Sequence, residues 1–349
     1  MKCALATTAS IYGGVWRHVL DLASGLSELD IEVDILGPES ILPSLQERSP
    51  SLHFQALGTT SRADVFHVHL ADTFEPHHGR FIRRVVETGV PAVVTEHLPR
   101  TVASDPSIHL TAARRKPGAT QWKTLLKRWS LSPAAAVITV SEEDREFLVR
   151  RYNLDSSKVW AAPLEIDVTA EPTVVTSPNR FVAVGSVITQ KGFDILVEAS
   201  AFRTTQWTVD VYGNGPHRER LQRRAEELGG AVQFRGFSQD VVGEMRAARG
   251  VVIPSRWESG PYVLLEAMAN ARPVIVSNTD AMPRIVKQAQ CGVWFESEDP
   301  EALASRLDEL VRSPDVTQTG LNGYEAARAM STKHMASSNA EIYDKVLAR

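Results

Sequence analysis

Residues 254–277 read PSRWESGPYVLLEAMANARPVIVS and hold two carboxylates whose setting invites chemistry. Glu266 sits among Tyr262, Val263, Leu264, Leu265, Ala267 and Met268, a run of apolar residues that favours a helix. Glu258 lies eight positions earlier, before Gly260-Pro261. A carboxylate inside an apolar helix is costly unless hydrogen-bonded, and a sugar diol offers two donors to such an acceptor. Proline suits a first helical turn, where its missing N–H costs nothing. The amides of that turn form a seat for an anionic group such as phosphate. A second account needs no ligand: Glu266 could pair with Arg249 or Arg272, with Glu258 a solvated loop charge.

The elements that must position these groups alternate along the chain. Strand-like runs occur at 3–7, 32–36, 65–70, 92–96 and 136–140, and again at 181–185, 207–212, 232–234, 250–253, 273–277 and 292–295. Helical stretches separate them, among them 15–29, 142–152, 193–202, 216–228 and 300–311. This alternation predicts an α/β fold of two doubly wound parallel sheets covered by helices. The break falls at 163–180, PLEIDVTAEPTVVTSPNR, with three prolines and no period. The expected domains are therefore 1–164 and 165–332, with a C-terminal helix, about 333–349, crossing back onto the first. Ligands of such sheets sit beyond the carboxyl ends of the strands. That places the site in a cleft where the two domains face each other, with Glu258 just beyond the strand 250–253.

Composition narrows the function. The 349 residues are 43% hydrophobic and 23% charged, with a net charge of −4, which gives no basic field for nucleic acid. Cys3 and Cys291 are the two cysteines and have no metal or redox spacing, which favours a cytoplasmic compartment. No apolar run reaches the ~18 residues of a membrane span. Any membrane contact is expected to be peripheral, at the inner membrane surface, through 114–129. There Trp122, Leu125, Leu126 and Trp129 recur at helical spacing beside Lys123, Lys127 and Arg128. The alternative is a helix covering the first sheet with a solvated basic face. His67 and His69 alternate on a strand and share a side, but no carboxylate–histidine set completes a ligand shell, so no metal and no cofactor are expected.

Several stretches in order carry a family resemblance. Residues 254–277 resemble the E-x7-E signature of the family 4 retaining glycosyltransferases of GT-B fold, with the flanking PS, EAMA and RPVI. Gly13-Gly14 resembles the family's glycine loop, and 136–142, AVITVSE, its turn closing the first domain. VGSVITQKGF at 184–193, YGNGP at 212–216 and FRGF at 234–237 are similar to its phosphate segment, its G-x-G-P turn and the place of its nucleotide base. The likeness spans nearly the whole chain.

The resemblance implies a nucleotide diphosphate sugar as donor, a hexosyl group transferred with retention, and a glycan, lipid-linked or small-molecule acceptor, without a metal. Glu266 would accept from the ribose hydroxyls. Glu258 would hold the transferred sugar with the backbone of Gly260, Tyr262 and Val263. Lys191 would neutralise the departing diphosphate. Gly13 and Gly14 would approach the donor phosphates, Phe237 would lie at the base, and His97 would approach the sugar beside the reacting centre. Ser186 stands where an arginine often joins the lysine. Leu164-Glu165, Ala271, Asp280-Ala281-Met282 and Arg284 are further departures, which bear on donor identity.

Other functions fit less well. A dinucleotide oxidoreductase needs G-x-G-x-x-G after the first strand, and Ile11-Tyr12-Gly13-Gly14 does not supply it. The histidine and arginine set of a sugar-nucleotide epimerase of the same fold is not found, and a glycan phosphorylase requires a far longer chain. A non-catalytic nucleotide-sugar-binding protein remains compatible with the departures.

Overall fold

A computed structural model describes residues 1–59, 61–71, 76–99 and 119–349, with side chains at 119–121 excepted. The chain divides into two compact units, Met1–Glu165 with Ser331–Arg349, and Ile166–Met330.

The first unit carries a seven-stranded sheet of β1 (Lys2–Thr7), β2 (Glu32–Gly37), β3 (Phe54–Ala56), β4 (Val65–Leu70), β5 (Ala92–Glu96), β6 (Ala136–Thr139) and β7 (Val159–Ala161). Its order is β3-β2-β1-β4-β5-β6-β7, and every pairing is parallel. The strands β3 and β7 have three residues each and occupy the two edges, too short to show a period in the sequence. The order reverses between β1 and β4, which are hydrogen-bonded neighbours. At such a switch point the following loops part and leave a crevice beyond the carboxyl ends of the strands.

Helix Thr332–Leu347 belongs to this unit and packs on helix Gly14–Ser27. Gly25 lets the two backbones meet: a Cβ there would lie 2.4 Å from the carbonyl oxygen of Thr332. Tyr343 is buried and its hydroxyl lies 2.6 Å from Nδ1 of His67, whose Nε2 lies 2.6 Å from Oγ1 of Thr95. The closing helix is thus bonded into the middle of the sheet.

The second unit has β8 (Arg180–Val184), β9 (Thr208–Tyr212), β10 (Val232–Gly236), β11 (Gly250–Ile253), β12 (Val274–Ser277) and β13 (Gly292–Phe295). All are parallel, in the order β10-β9-β8-β11-β12-β13, with the switch between β8 and β11. Apolar strands dominate because both faces are covered: β11 and β12 are buried at every residue. Asp308, on helix Pro300–Arg312, ties a turn to this core. It accepts from the amides of Thr204 and Thr205 (2.8 and 3.0 Å), from both their hydroxyls, and from Nε1 of Trp207 (3.1 Å).

The basic segment departs from its expected arrangement. Residues 114–118 lie outside the described residues; helix Ala119–Leu131 follows them. Its core side is Leu126, Lys127, Ser130 and Leu131, whereas Trp122, Leu125 and Trp129 are 66%, 60% and 40% exposed. Lys127 is therefore no part of a solvated basic face. It is fully buried and ion-paired with buried Glu96. A lone buried charge would be very costly, so each requires the other.

Candidate functional site

The residues singled out by sequence fall into two sets, one in each unit. In the second unit, three loops at the carboxyl ends of β8, β9 and β11 are locked together by their backbones. Val187 N–H donates to the carbonyl of Asn214 (2.9 Å), and Arg256 N–H to that of Gln190 (2.7 Å). Glycines permit this closeness. A Cβ on Gly213 would lie 2.0 Å from the carbonyl oxygen of Gly185, and one on Gly192, at φ +64°, would lie 1.9 Å from that of Pro254. The YGNGP and VGSVITQKGF stretches are therefore built against each other.

Lys191 ends a short 3₁₀ turn, Thr189–Lys191, beside Gly185, whose missing side chain leaves room along the lysine stem. Its Nζ donates to Oε1 of buried Glu258. Ser255 Oγ donates to the same oxygen (2.7 Å), and the N–H of Glu258 donates to Oδ2 of Asp280 (2.7 Å). Ser255 and Asp280 are site residues that sequence reasoning did not assign. Asp280 was visible as a departure from the family pattern, and its φ of +52° is a left-handed conformation that glycine adopts without strain. Ala271, another departure, is likewise left-handed at φ +52°.

Arg256 fixes the loop from beneath. Buried, it bonds Asp194 and Glu298 through its guanidinium. Burial disfavours its charge, but those two carboxylates outweigh that and raise its pKa. This cation, absent from the sequence-based candidates, braces the segment that carries Glu258.

Helix Tyr262–Ala269 starts after Pro261, which is its N-cap rather than its first residue. Tyr262 is buried, while Val263, Glu266 and Gly260 are partly exposed. Arg249 and Arg272, the arginines that could have paired with Glu266, donate elsewhere. Arg249 bonds the carbonyls of Leu310, Val311 and Ser313, and Arg272 those of Met245, Arg246 and Thr173. Ser186 is exposed. Phe237, just past β10, is 85% exposed, an aromatic face in water.

The first unit gathers the other set. Gly13 is the N-cap of helix Gly14–Ser27, and side chains at Gly13 or Gly14 would meet nothing within 4 Å, so a bound molecule could approach that backbone closely. His97 follows β5 and is partly exposed. Its Nε2 is 3.2 Å from Nδ1 of His69, and the ring of His18 stands edge-on to both, 5.1 Å from His69 and 5.0 Å from His97. Burial pulls His97 down to about 3 and His18 and His69 well below the ordinary imidazole value, so all three are neutral at physiological pH. Helical periodicity marks His18 only as a residue of the core face, which is why sequence reading passed over it.

Comparison with known proteins bears on what these sets belong to. The Glycosyltransferase Family 4 model matches residues 12–169, and the model for Glycosyl transferases group 1 matches 168–329. The chain belongs to the family 4 glycosyltransferases. This glycosyltransferase is 28% identical to the alpha-maltose-1-phosphate synthase of Mycolicibacterium smegmatis, over the whole of both chains. It is 24% identical to the phosphatidyl-myo-inositol mannosyltransferase of Mycobacterium leprae, over 96% of this chain and 93% of that one. Among solved structures, a sucrose-phosphate synthase from Thermosynechococcus elongatus superposes with a TM-score of 0.77 at 17% identity, covering 100% of this chain and 99% of the other. The Anabaena HepE in complex with UDP-glucose gives 0.80 at 15% identity, with full coverage of both. The glycosyltransferase thus has the GT-B fold of two Rossmann-like domains. Among its described residues no helix is long and apolar enough to cross a membrane.

Proposed function

We propose that this glycosyltransferase moves a hexosyl group from a nucleoside diphosphate sugar to a glycan, lipid-linked or small-molecule hydroxyl, with retention and without a metal in the transfer step. The observation that carries the reading is the Lys191–Glu258 pair, held between glycine loops at the switch point of the second sheet. An ammonium poised there is placed to take up a diphosphate, and its carboxylate partner is then released to accept from sugar hydroxyls. The relatives' names are consistent with this, since one synthesises maltose 1-phosphate and a structural neighbour holds UDP-glucose.

Each other residue has a part in the same scheme. Phe237 offers a face for the base, Glu266 accepts from the ribose, and the backbone of Gly260, Tyr262 and Val263 lines the sugar and phosphate. Ser186 flanks the diphosphate beside Lys191. Gly13 and Gly14 leave space for the donor phosphates, and His97 approaches the sugar. The bond from the anomeric carbon to the phosphate oxygen breaks as the bond to the acceptor oxygen forms on the same face. The acceptor's proton passes to the departing phosphate. The protein's share is positioning and charge stabilisation.

The helix Ala119–Leu131 gives the enzyme a weak peripheral hold on the inner face of a membrane from the cytoplasm. Exposed Trp122, Leu125 and Trp129 enter the interface, and Lys123 and Arg128 face anionic head groups. A panel of nucleoside diphosphate sugars tests the donor assignment. One sugar nucleotide should raise the melting temperature, and NMR of the product should show an α-linkage from an α-donor. A melt unmoved by every member, or a β-linked product, overturns it.

A further inference from the structure

The histidine cluster of the first unit has more to it than a contact to sugar. One ring nitrogen from each of His18, His69 and His97 can be chosen so that the three lie within 4.8 Å of one another. They come from separate elements: the first helix, strand β4 and the turn after β5. His18 and His69 are completely buried. Neither nitrogen of His18 has a hydrogen-bond partner, nor has Nε2 of His69. A buried polar atom left unpaired costs about 1–3 kcal/mol, and such atoms are few in folded proteins. As a neutral imidazole His18 thus holds one N–H and one lone pair without partners, and a lone pair buried among rings is a seat for an electron-pair acceptor.

A cation answers that description better than hydrogen bonds do. Each imidazole can turn one in-plane lone pair to a common point, since one ring nitrogen from each lies within 4.8 Å of the others, and a single water has two protons for three acceptors. Among the described residues the nearest titratable side chains are engaged elsewhere. His67, stacked 4.0 Å from His69, has both nitrogens engaged by Tyr343 and Thr95, and Glu96 is held by Lys127. Imidazole suits zinc, copper, nickel and iron, and three histidines with an open fourth position form a known zinc geometry. Zinc–nitrogen bonds of about 2.0–2.1 Å bring tetrahedral ligands to about 3.4 Å apart. Nδ1 of His69 and Nε2 of His97 stand 3.2 Å apart as a hydrogen-bonded pair, near this spacing; the proton they share moves to the far nitrogen of its ring when both turn to the metal, and the ring of His18 closes in.

We propose that His18, His69 and His97 form a binding site for zinc, with the partly exposed side of His97 leaving the fourth position open. Among the described residues no carboxylate or carbonyl is hydrogen-bonded to His18, so the site is weaker than a fully braced one by ~10–100-fold. It is a reversible site rather than a structural one. Occupation ties down His97, so zinc should slow glycosyl transfer. That consequence rests on the role proposed for His97, whereas zinc binding does not.

The test uses the full chain, stripped by chelator and titrated with cobalt(II). The wild type should take up one cobalt with the intense visible bands of tetrahedral coordination, and zinc should displace it. His18→Leu and, separately, His69→Gln should abolish those bands, with circular dichroism verifying that each is folded. His18→Leu replaces two unpaired nitrogens with methyl groups, so its folding is not at risk from lost bonds. No tetrahedral spectrum in the wild type, or uptake unchanged in both variants as stray surface histidines would give, overturns the site. Uptake with transfer unaffected by saturating zinc overturns the inhibition alone.

Discussion

Lys191 and Glu258, 67 positions apart in sequence, form an ion pair that also takes in Ser255. The two groups proposed for the leaving group and the sugar hold each other. A donor must therefore part them. The positive charge is neutralised in the resting site, which spares its burial cost, and is exchanged from carboxylate to phosphate on binding.

This exchange separates the two side chains experimentally. Lys191→Ala removes the cation proposed to stabilise the departing diphosphate and should lower kcat by about 10²–10³-fold. Glu258→Gln keeps a hydrogen-bonding group and frees the lysine, so transfer should fall less. Affinity for the free nucleoside diphosphate should be retained or improved. Steady-state kinetics with calorimetry on the free nucleotide measure both, and a Glu258→Gln that lowers kcat more than Lys191→Ala would reverse the assigned roles.

Glu266 is tested by a ligand without a sugar. If it accepts from the ribose, Glu266→Gln weakens the nucleoside diphosphate as much as the full donor. The loss should be about 1.5–3 kcal/mol, the range for a hydrogen bond to a charged group. Equal nucleotide affinity in a folded variant removes Glu266 from the site.

Helix Ala119–Leu131 carries two kinds of basic residue, and the structure tells them apart. Lys123→Glu with Arg128→Glu should abolish sedimentation with anionic vesicles, at about 1 kcal/mol per basic residue. Lys127→Glu instead sets two carboxylates together in the core. It should cost about 3–5 kcal/mol of stability, visible in thermal melts without any lipid. Equal vesicle binding by wild type and the double variant retires the membrane contact.

Acid should reveal Asp308. Burial raises its pKa, but the hydroxyls and amides of Thr204 and Thr205 outweigh that and hold it below the usual carboxylate value. A group depressed on folding contributes stability that is fully present above its unfolded pKa of about 3.9 and fades as pH falls through the folded value. Asp308→Asn should destabilise by about 2–3 kcal/mol at neutral pH. The gap between wild type and variant should stay constant down to about pH 5 and narrow below about pH 4. Urea unfolding across that range checks it, and a gap independent of pH would refute the account.

Sequence made some of this legible because local rules governed it. Apolar runs of three to six residues between helices announced eleven of the strands, and the prolines of 163–180 marked a segment that forms no strand or helix up to 179. What escaped depended on partners distant in the chain. The Lys191–Glu258 pair joins residues with no periodicity in common. The same holds for Lys127 with Glu96, 31 positions apart, where a lysine at helical spacing read as surface. His18 looked like any inward residue of an amphipathic helix until β4 and β5 brought His69 and His97 to it. Asp280 was conspicuous as the wrong residue for its place, yet its bond to the amide of Glu258 follows from a left-handed backbone that no local pattern announces.

Helix Thr332–Leu347 is translated after the whole of the second unit, although the rest of the unit it completes is translated before it. On the ribosome, the second unit is contiguous and can fold as soon as Met330 clears the exit tunnel. Until then Gly25 faces no neighbour, and His67 waits without the hydroxyl of Tyr343. Translation thus imposes an order that the finished fold conceals: the later half matures ahead of the earlier one. Chains arrested before Thr332 should yield a protease-resistant fragment from 166–330 while the sheet of β1–β7 is still cut. Resistance of the amino-terminal half in such chains would show that it closes without its last helix.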